Sequence, residues 1–158
     1  QSYWYSFNLP VSITRCGNLF GPGDLNFNRI IPGTILSLMK NEQPVIRSDG
    51  QYIRNYFYIK DAANAYLSIS ENTEKTMGQA FNVGSQERYS VVDLVKIITE
   101  VMNSDISPII KNEAKNEIKE QYLSIEKVKS VLGWLPKYSV RDALKETVNW
   151  YQQYFPVN

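Results

Sequence analysis

Hydrophobic residues recur along this chain at two spacings, one typical of helices and one typical of strands. Apolar positions three or four residues apart indicate amphipathic helices. After a helix end at 2–8, they predict helices over 28–40, 61–76, 91–103, 125–132 and 140–155. Short runs of β-branched and aromatic residues indicate strands. They predict strands over 11–14, 45–46, 52–59, 79–83 and 107–111. This order of strands and helices predicts an α/β fold.

Capping residues stand at the ends of several predicted helices. Ser90 and Ser139 occupy N-cap positions, and Asp93, three residues after Ser90, gives a partial capping box. Gly133 suits the left-handed position that follows a helix. Between these helices, the stretch 111–129 contains five Lys and four Glu with little apolar content. We interpret this charge run as a solvated linker.

Composition and charge exclude several classes of function. Lys and Arg number 17 and Asp and Glu number 16, so the net charge of +1 lacks the positive excess of a strongly basic nucleic-acid binder. The absence of histidine excludes a Ser-His-Asp triad and a histidine-ligated zinc site within this chain. The single Cys16 excludes an intrachain disulfide and a CxxC metal cluster, and we expect no bound metal.

The same sequence predicts no membrane partner and a cytoplasmic location. No apolar run reaches the roughly 18–20 residues that a membrane helix needs. The opening QSYWYSFNLP lacks the basic and apolar regions of a secretory signal. Paired cysteines, which mark oxidising compartments, do not occur.

Four motifs carry a resemblance to a known family. In order they are TRCGNLFGPG at 14–23, RIIP at 29–32, DG at 49–50 followed by RNYFYIKD at 54–61, and LGWLP at 132–136 followed by TVNWY at 147–151. Together they resemble the C-terminal half of extended short-chain dehydrogenases/reductases that act on nucleoside diphosphate sugars. Within that family, GDLNFNRIIPG at 23–33 and the segment 118–139 most resemble the dehydratases that act on CDP-glucose.

The resemblance implies a fold, a cofactor and a partner. It implies the C-terminal half of a Rossmann-type doubly wound fold with a small α/β substrate-binding domain. Residues 1–158 would then be the nucleotide-sugar-binding portion of a larger enzyme, which uses NAD bound mainly by an N-terminal Rossmann half outside this chain. At the place of the family's Tyr-x-x-x-Lys pair, Tyr3 and Tyr5 are followed four residues later by Phe7 and Leu9. We therefore expect no catalytic residue here, and a parent enzyme that is a homodimer or higher oligomer.

Five residues are candidates for contact with a nucleotide sugar. Arg54 matches the family's phosphate- or ribose-binding arginine, and an arginine fork suits a phosphate. Asn18 matches a substrate-contacting asparagine, although an asparagine here could also cap a turn. Arg29 begins a predicted helix, where an anion is favoured, or it faces solvent. Gln121 and Tyr122 stand where many relatives carry an arginine; Tyr122 could stack on a base or anchor the core.

Four other residues are assigned structural roles. We expect Arg15 to form an ion pair at a strand end and Asp61 to cap the helix that it begins. Trp134 and Trp150 should lie in the core and pack the last two helices together.

Three functions remain open at this point. The first is the substrate-binding part of an NAD-dependent 4,6-dehydratase, a lyase that gives a 4-keto-6-deoxy sugar, of the kind used for surface polysaccharide synthesis. The second is a nucleotide-sugar 4-epimerase or decarboxylase of the same superfamily. The third is a non-catalytic, stand-alone binding domain of the same ancestry, since fold does not fix function.

Overall fold

The computed structural model describes residues 1–114 and 117–155 and has a mixed α/β architecture. Within these residues the helices are α1 (Ser2–Phe7), α2 (Ile30–Met39), α3 (Ile59–Glu71), α4 (Thr73–Thr76), α5 (Val91–Val101), α6 (Glu126–Leu132) and α7 (Val140–Tyr154). The strands are β1 (Ile13–Cys16), β2 (Asn18–Phe20), β3 (Val45–Ile46), β4 (Ile53–Arg54), β5 (Tyr56–Tyr58), β6 (Ala80–Val83), β7 (Tyr89–Ser90), β8 (Ile109–Ile110) and β9 (Glu120–Gln121).

The strands are short and pair mostly in parallel. Three two-stranded sheets join β1 with β6, β2 with β5, and β3 with β8, each in parallel. In a fourth sheet, β4 lies between antiparallel β7 and parallel β9. Parallel neighbours need crossover connections, and helices α2, α3 and α5 lie within those connections.

Strand β5 separates two hydrophobic clusters. Side chains alternate between the two faces of a strand, so Tyr56 and Tyr58 lie on one side and Phe57 on the other. Tyr56 and Tyr58 pack into a cluster built largely from α2, α5 and α7. Phe57 packs into a cluster built from β6, α3, α6 and Trp134. All three aromatic side chains are buried, which fixes the position of the chain just before and after them.

The predicted capping residues of α5 and α7 are confirmed. The Ser90 hydroxyl oxygen accepts from the Asp93 backbone N–H at 3.1 Å, and Ser139 accepts from the Asp142 N–H at the same distance. Each serine hydroxyl also donates to the carboxylate of that aspartate, at 2.6 and 2.7 Å respectively. Gly133 ends α6 with a φ of 67°, the left-handed conformation that glycine adopts readily.

The single strand predicted over 52–59 is wrong, because Asn55 divides it into β4 and β5. The Asn55 side-chain amide donates to the Ser85 carbonyl at 2.7 Å and to the Glu87 carbonyl at 3.2 Å. These bonds draw Asn55 towards the loop after β6, and the two strands on either side of it join different sheets.

The N-cap role predicted for Asp61 is also wrong. Helix α3 begins at Ile59, so Asp61 lies inside its first turn. Its buried carboxylate accepts from the backbone N–H groups of Lys137 and Tyr138, at 2.9 and 3.2 Å. Asp61 therefore holds the loop before α7 instead of capping its own helix.

The linker predicted over 111–129 is wrong in part. Lys115 and Asn116 lie outside the described residues. Beyond them, β9 pairs with β4, and the Ile53 N–H donates to the Lys119 carbonyl at 2.9 Å. A charged sequence forms a strand here because backbone hydrogen bonds, which periodicity does not record, hold it against β4.

The two tryptophans lie in different clusters and do not pack the last two helices together. Trp134 is 5% exposed, meets Phe57 edge-on, and donates its indole N–H to Asn64 Oδ1 at 3.2 Å. Trp150 is half-buried beside the other cluster. Arg15 is exposed and makes no ion pair with any residue in the described ranges, so the pair expected at that strand end is not found there.

Candidate functional site

Strand register brings three polar side chains to one place. Arg54 and Tyr56 are two residues apart in extended chain, so they point the same way, while Asn55 between them points to the other side. Strand β2 pairs with β5 so that Asn18 is opposite Tyr56. The Asn18 N–H donates to the Asn55 carbonyl at 2.7 Å, which sets this register. Asn18, Arg54 and Tyr56 consequently line one cavity.

That cavity, named here the Arg54 cavity, has a volume of about 290 Å³. Its polar lining comes from Asn18, Arg29, Arg54, Tyr56 and Glu117, with Asp24 at its edge. The first turn of α2 supplies an apolar wall. The structure thus brings together three of the five predicted site residues, although they are far apart in the sequence.

Arg54 lines this cavity and is held in place by its own contacts. Its side chain is 14% exposed, and its guanidinium donates to Glu117 Oε2 at 3.1 Å and to the Ile53 carbonyl at 2.9 Å. The Tyr52 ring lies 5.5 Å from the guanidinium carbon, which favours the cation. Glu117 is far more exposed, with 47% of its side chain accessible, so it is the exchangeable partner of the pair.

Arg29 is bound more firmly into the protein than a solvent-facing helix residue would be. It is the N-cap of α2, and its guanidinium donates to Asp24 Oδ2 at 2.8 Å and to the Leu19 carbonyl at 2.6 Å. These bonds fix the loop between β2 and α2. Arg29 also lines the Arg54 cavity, but both terminal nitrogens of its guanidinium already donate a hydrogen bond within the protein.

Asn55 is a residue that sequence reasoning missed. It is 3% exposed, and its Oδ1 has no hydrogen-bond partner among the residues the structure describes. A Cβ added at Gly17 would lie 2.6 Å from this oxygen, and one added at Gly84 would lie 2.3 Å from it. The ends of β1 and β6 therefore close around Asn55, and the glycines make that approach possible. The sequence does contain one signal for this role, because Asn55 stands between Arg54 and Tyr56 inside the predicted strand.

Gln121 and Tyr122 lie beside the Arg54 cavity and not inside it. They line a neighbouring space of about 40 Å³ with Asn18, which belongs to both. That volume is far below the roughly 300 Å³ or more of a typical ligand pocket, so it is too small for a nucleotide sugar. The Arg88 guanidinium carbon lies 3.6 Å from the centre of the Tyr122 ring, and Tyr122 is 45% exposed. The core-anchor interpretation of Tyr122 is therefore wrong.

A second and larger cavity adjoins the first. This Arg47 cavity has a volume of about 440 Å³ and shares Arg29, Ile30, Val91 and Glu117 with the Arg54 cavity. Charged side chains at its rim are Arg47, Lys111, Glu113 and Glu117. The two cavities form one trough along α2. The sequence did not predict it, because Lys111, Glu113 and Glu117 lie in the supposed linker.

Tyr56 is a further lining residue that sequence reasoning missed. Burial raises its pKa to about 12 and outweighs the nearby Arg54 guanidinium, which lowers it. Its phenol is therefore a hydrogen-bond donor at neutral pH.

Tyr56 and Lys60 have the spacing Tyr-x-x-x-Lys. The Lys60 ammonium, however, donates to Glu146 Oε2 on α7 at 2.5 Å and does not line the cavity. These two residues are not arranged as a catalytic pair.

Neither a metal cluster nor a membrane-spanning helix occurs within residues 1–114 and 117–155. No cluster of three or more His, Cys, Asp or Glu side chains there is arranged to hold a metal ion. No helix in these ranges has the length and apolar character needed to cross a membrane.

Comparison with known proteins assigns the family. The model of the NAD dependent epimerase/dehydratase family matches residues 1–84. The chain belongs to this family. Among epimerase/dehydratase family members, the dTDP-D-glucose 4,6-dehydratase of Mus musculus is 31% identical over 163 residues, which cover 98% of this chain and 44% of the mouse protein. The chain thus spans less than half the length of this relative.

Solved structures of the family share the fold. A UDP-glucose 4-epimerase with UDP-glucose from Thermotoga maritima superposes with a TM-score of 0.89 and 26% identity, covering 97% of this chain and 49% of that chain. The dTDP-glucose 4,6-dehydratase of Bacillus anthracis, in complex with NAD, gives a TM-score of 0.85 at 24% identity, covering 96% of this chain and 48% of that chain. The predicted α/β fold of the Rossmann-type epimerase/dehydratase family is confirmed.

The described residues do not fit the pyrophosphate of NAD. In a dinucleotide fold, a glycine-rich turn after a strand leaves room for the phosphates before a helix begins. Here β1 is followed by Gly17 and another strand, and Asn55 Oδ1 fills the space beside Gly17. Binding of NAD by a part outside this chain stays a prediction.

Proposed function

We propose that this chain is the nucleotide-sugar-binding portion of an NAD-dependent 4,6-dehydratase that acts on CDP-glucose. The observation that carries the proposal is the trough of two adjoining cavities, with Arg54 and Asn18 in one and Arg47 in the other. Family membership supports the nucleoside-diphosphate-sugar class. The segments 23–33 and 118–139 favour CDP-glucose as the member of that class.

The Arg54 cavity suits a diphosphate. Arg54 offers a rigid guanidinium in a largely buried place, where a charge-assisted hydrogen bond to phosphate is stronger than at the surface. Tyr56 and Asn18 add an O–H and an amide donor on the same side. Glu117 now holds the guanidinium, so a phosphate oxygen would take its place.

The trough also suits a ligand with three parts. The base would enter the Arg47 cavity, whose walls include Phe27, Ile30 and Val91. The diphosphate would lie at Arg54, and the sugar beside Asn18, next to the end of β1. In this arrangement the reacting sugar faces the side from which the rest of the enzyme would contribute its catalytic pair and NAD.

Exposed aromatic side chains support a larger parent. Tyr3, Tyr5 and Phe7 on α1 are 63%, 77% and 73% exposed. Apolar patches of this kind are usually covered by another surface. The division of labour between this portion and an NAD-binding half, the oligomeric state and the cytoplasmic location stay predictions.

A product analysis tests the reaction. The full-length protein, incubated with CDP-glucose and NAD, should convert the substrate to a product lighter by one water molecule, the CDP-4-keto-6-deoxy sugar. Hydride leaves and returns within one turnover, so the amount of NAD should not change. Turnover of dTDP-glucose or UDP-glucose with CDP-glucose untouched would contradict the substrate assignment, and turnover of none of them would contradict the enzyme.

A 4-epimerase is the second candidate. The likeness to the Thermotoga maritima UDP-glucose 4-epimerase favours it, since this portion superposes as well on an epimerase as on a dehydratase. In the same assay an epimerase would give a product of unchanged mass and altered configuration at C4, which nuclear magnetic resonance distinguishes.

A further inference from the structure

Three of the charged side chains that line the Arg47 cavity make few polar contacts with the described residues. The Arg47 guanidinium makes one long hydrogen bond, 3.4 Å to Asn28 Oδ1. Neither Lys111 nor Glu113 forms an ion pair with any residue in 1–114 or 117–155. A guanidinium and a carboxylate therefore face one cavity without neutralising each other.

The backbone fixes Arg47 and Glu113 side by side. After the parallel pair β3–β8, the Glu113 N–H donates to the Arg47 carbonyl at 2.7 Å, and the Ala114 N–H donates to the same carbonyl at 3.1 Å. These bonds fix the backbone positions of both residues, so a ligand need not bring them together. Such placement favours specific recognition over loose charge attraction.

The interior of the cavity is suited to a flat ring. Phe27, Ile30 and Val91 give it apolar walls. Thr34 also lines it; this residue is 2% exposed, and its hydroxyl has no hydrogen-bond partner among the described residues. A ring held between apolar walls with its polar edge at the rim would meet Arg47 and Glu113 together.

We propose that Glu113 and Arg47 read the polar edge of the base and select a pyrimidine that carries an exocyclic amine. This inference rests on the proposed function. The amine of cytosine donates to a carboxylate, while its ring nitrogen and carbonyl accept from a guanidinium. Uracil and thymine present a carbonyl where cytosine has the amine, and that oxygen is repelled by Glu113.

Calorimetric titration of the chain with CDP, UDP and dTDP tests this inference at one fixed salt concentration. We expect CDP to bind about tenfold more tightly than UDP or dTDP, since a matched base contact is worth about one power of ten or more. In the Glu113→Gln variant the preference should fall to about twofold, because an amide can donate to a carbonyl as well as accept from an amine.

Two further variants provide a control outside the cavities and a test of Arg47. Glu74→Gln removes an exposed carboxylate from α4, outside both cavities, and should leave all three affinities unchanged. Arg47→Gln should weaken CDP about tenfold. Circular dichroism checks that each variant is folded.

Three results would overturn the inference. Equal affinities for the three nucleotides in the natural chain would refute base selection. A preference unchanged by Glu113→Gln would refute the assignment of that selection to Glu113. Either result leaves the proposed function standing. Failure of the folded chain to bind any of the three nucleotides would refute the proposed function itself, and base selection with it.

Discussion

The protein's own contacts hold the Arg54 side chain in position for an anion when no ligand is bound. The backbone places it on the same side as Tyr56, and burial removes competing water from its guanidinium. Its bond to the Ile53 carbonyl orients the fork, and Glu117 supplies a carboxylate in the position that we assign to phosphate. A bound phosphate would therefore replace the Glu117 carboxylate at Arg54, and the largely buried guanidinium would stay paired with an anion.

The variant Glu117→Gln should bind CDP more tightly than the natural chain. Removing the carboxylate removes a competitor for Arg54, and a partly exposed ion pair is worth up to about 1 kcal/mol, or roughly fivefold in affinity. Calorimetry measures the change, with Glu120→Gln on β9 as the matched control. Weaker binding by Glu117→Gln would show that Glu117 assists the ligand, and would contradict the exchange.

Tyrosine ionisation should destabilise the protein at alkaline pH. Burial raises the pKa of Tyr56 and of Tyr151 to about 12, above the ordinary value of 10. A folded-state pKa above the unfolded value gives stability that is complete below pH 10 and is lost as pH rises through 12. Urea unfolding at pH 8, 10 and 11 should show a falling free energy of unfolding.

The variant Tyr56→Phe separates this effect from general alkaline damage. It lacks one of the phenols whose pKa is raised by burial, so its free energy of unfolding should fall less between pH 8 and 11 than that of the natural chain. An identical fall in both proteins would contradict the role assigned to Tyr56.

Sequence reasoning at this scale succeeded where a residue's role depends on nearby chain. Ser90, Ser139 and Gly133 act on neighbours within three or four residues, so their roles were predicted. Asp61 accepts from residues 76 and 77 positions away, and Asn55 donates to carbonyls 30 and 32 positions away. No local pattern records such partners.

Among the elements, helices were predictable, and so was the two-residue strand β3, but β2, β7 and β9 were not. An amphipathic helix carries its own period in the sequence, and α5 and α7 both follow it. Strands β2, β7 and β9 contain two or three residues each, too few for a period to show. Pairing with a distant strand creates them, and that pairing is a property of the whole fold.

The strand β5 should be sensitive to truncation of one buried side chain. Phe57 is 0% exposed and meets Trp134 edge-on with ring centres 6.1 Å apart. The variant Phe57→Ala should lose about 3–5 kcal/mol of unfolding free energy, because it leaves a cavity in the second cluster. Chemical denaturation measures this loss.

Phe7→Ala is the matched control for that loss. Phe7 is 73% exposed on α1, and its truncation should change the free energy of unfolding by less than about 0.5 kcal/mol. A loss of similar size in the two variants would contradict the packing described for β5.

The whole molecule places its candidate site where distant parts of the chain meet. Asn18, Arg54 and Glu117 come from three separate stretches, and two of the predicted site residues, Gln121 and Tyr122, lie just beyond the cavity. The resemblance identified Asn18, Arg29 and Arg54 through motifs. It did not identify the Arg47 cavity, because that cavity forms only when α2, β3 and the chain after β8 pack together.

Binding of CDP-glucose by the natural chain and by Arg54→Gln, measured by titration calorimetry, tests the central claim most directly. The control is Arg141→Gln, which removes another ion-paired arginine, bonded to Glu100 and outside both cavities. The account predicts saturable binding by the natural chain and by Arg141→Gln, and an affinity at least tenfold weaker in folded Arg54→Gln. Equal affinities in all three proteins, or no binding by the natural chain, would contradict it.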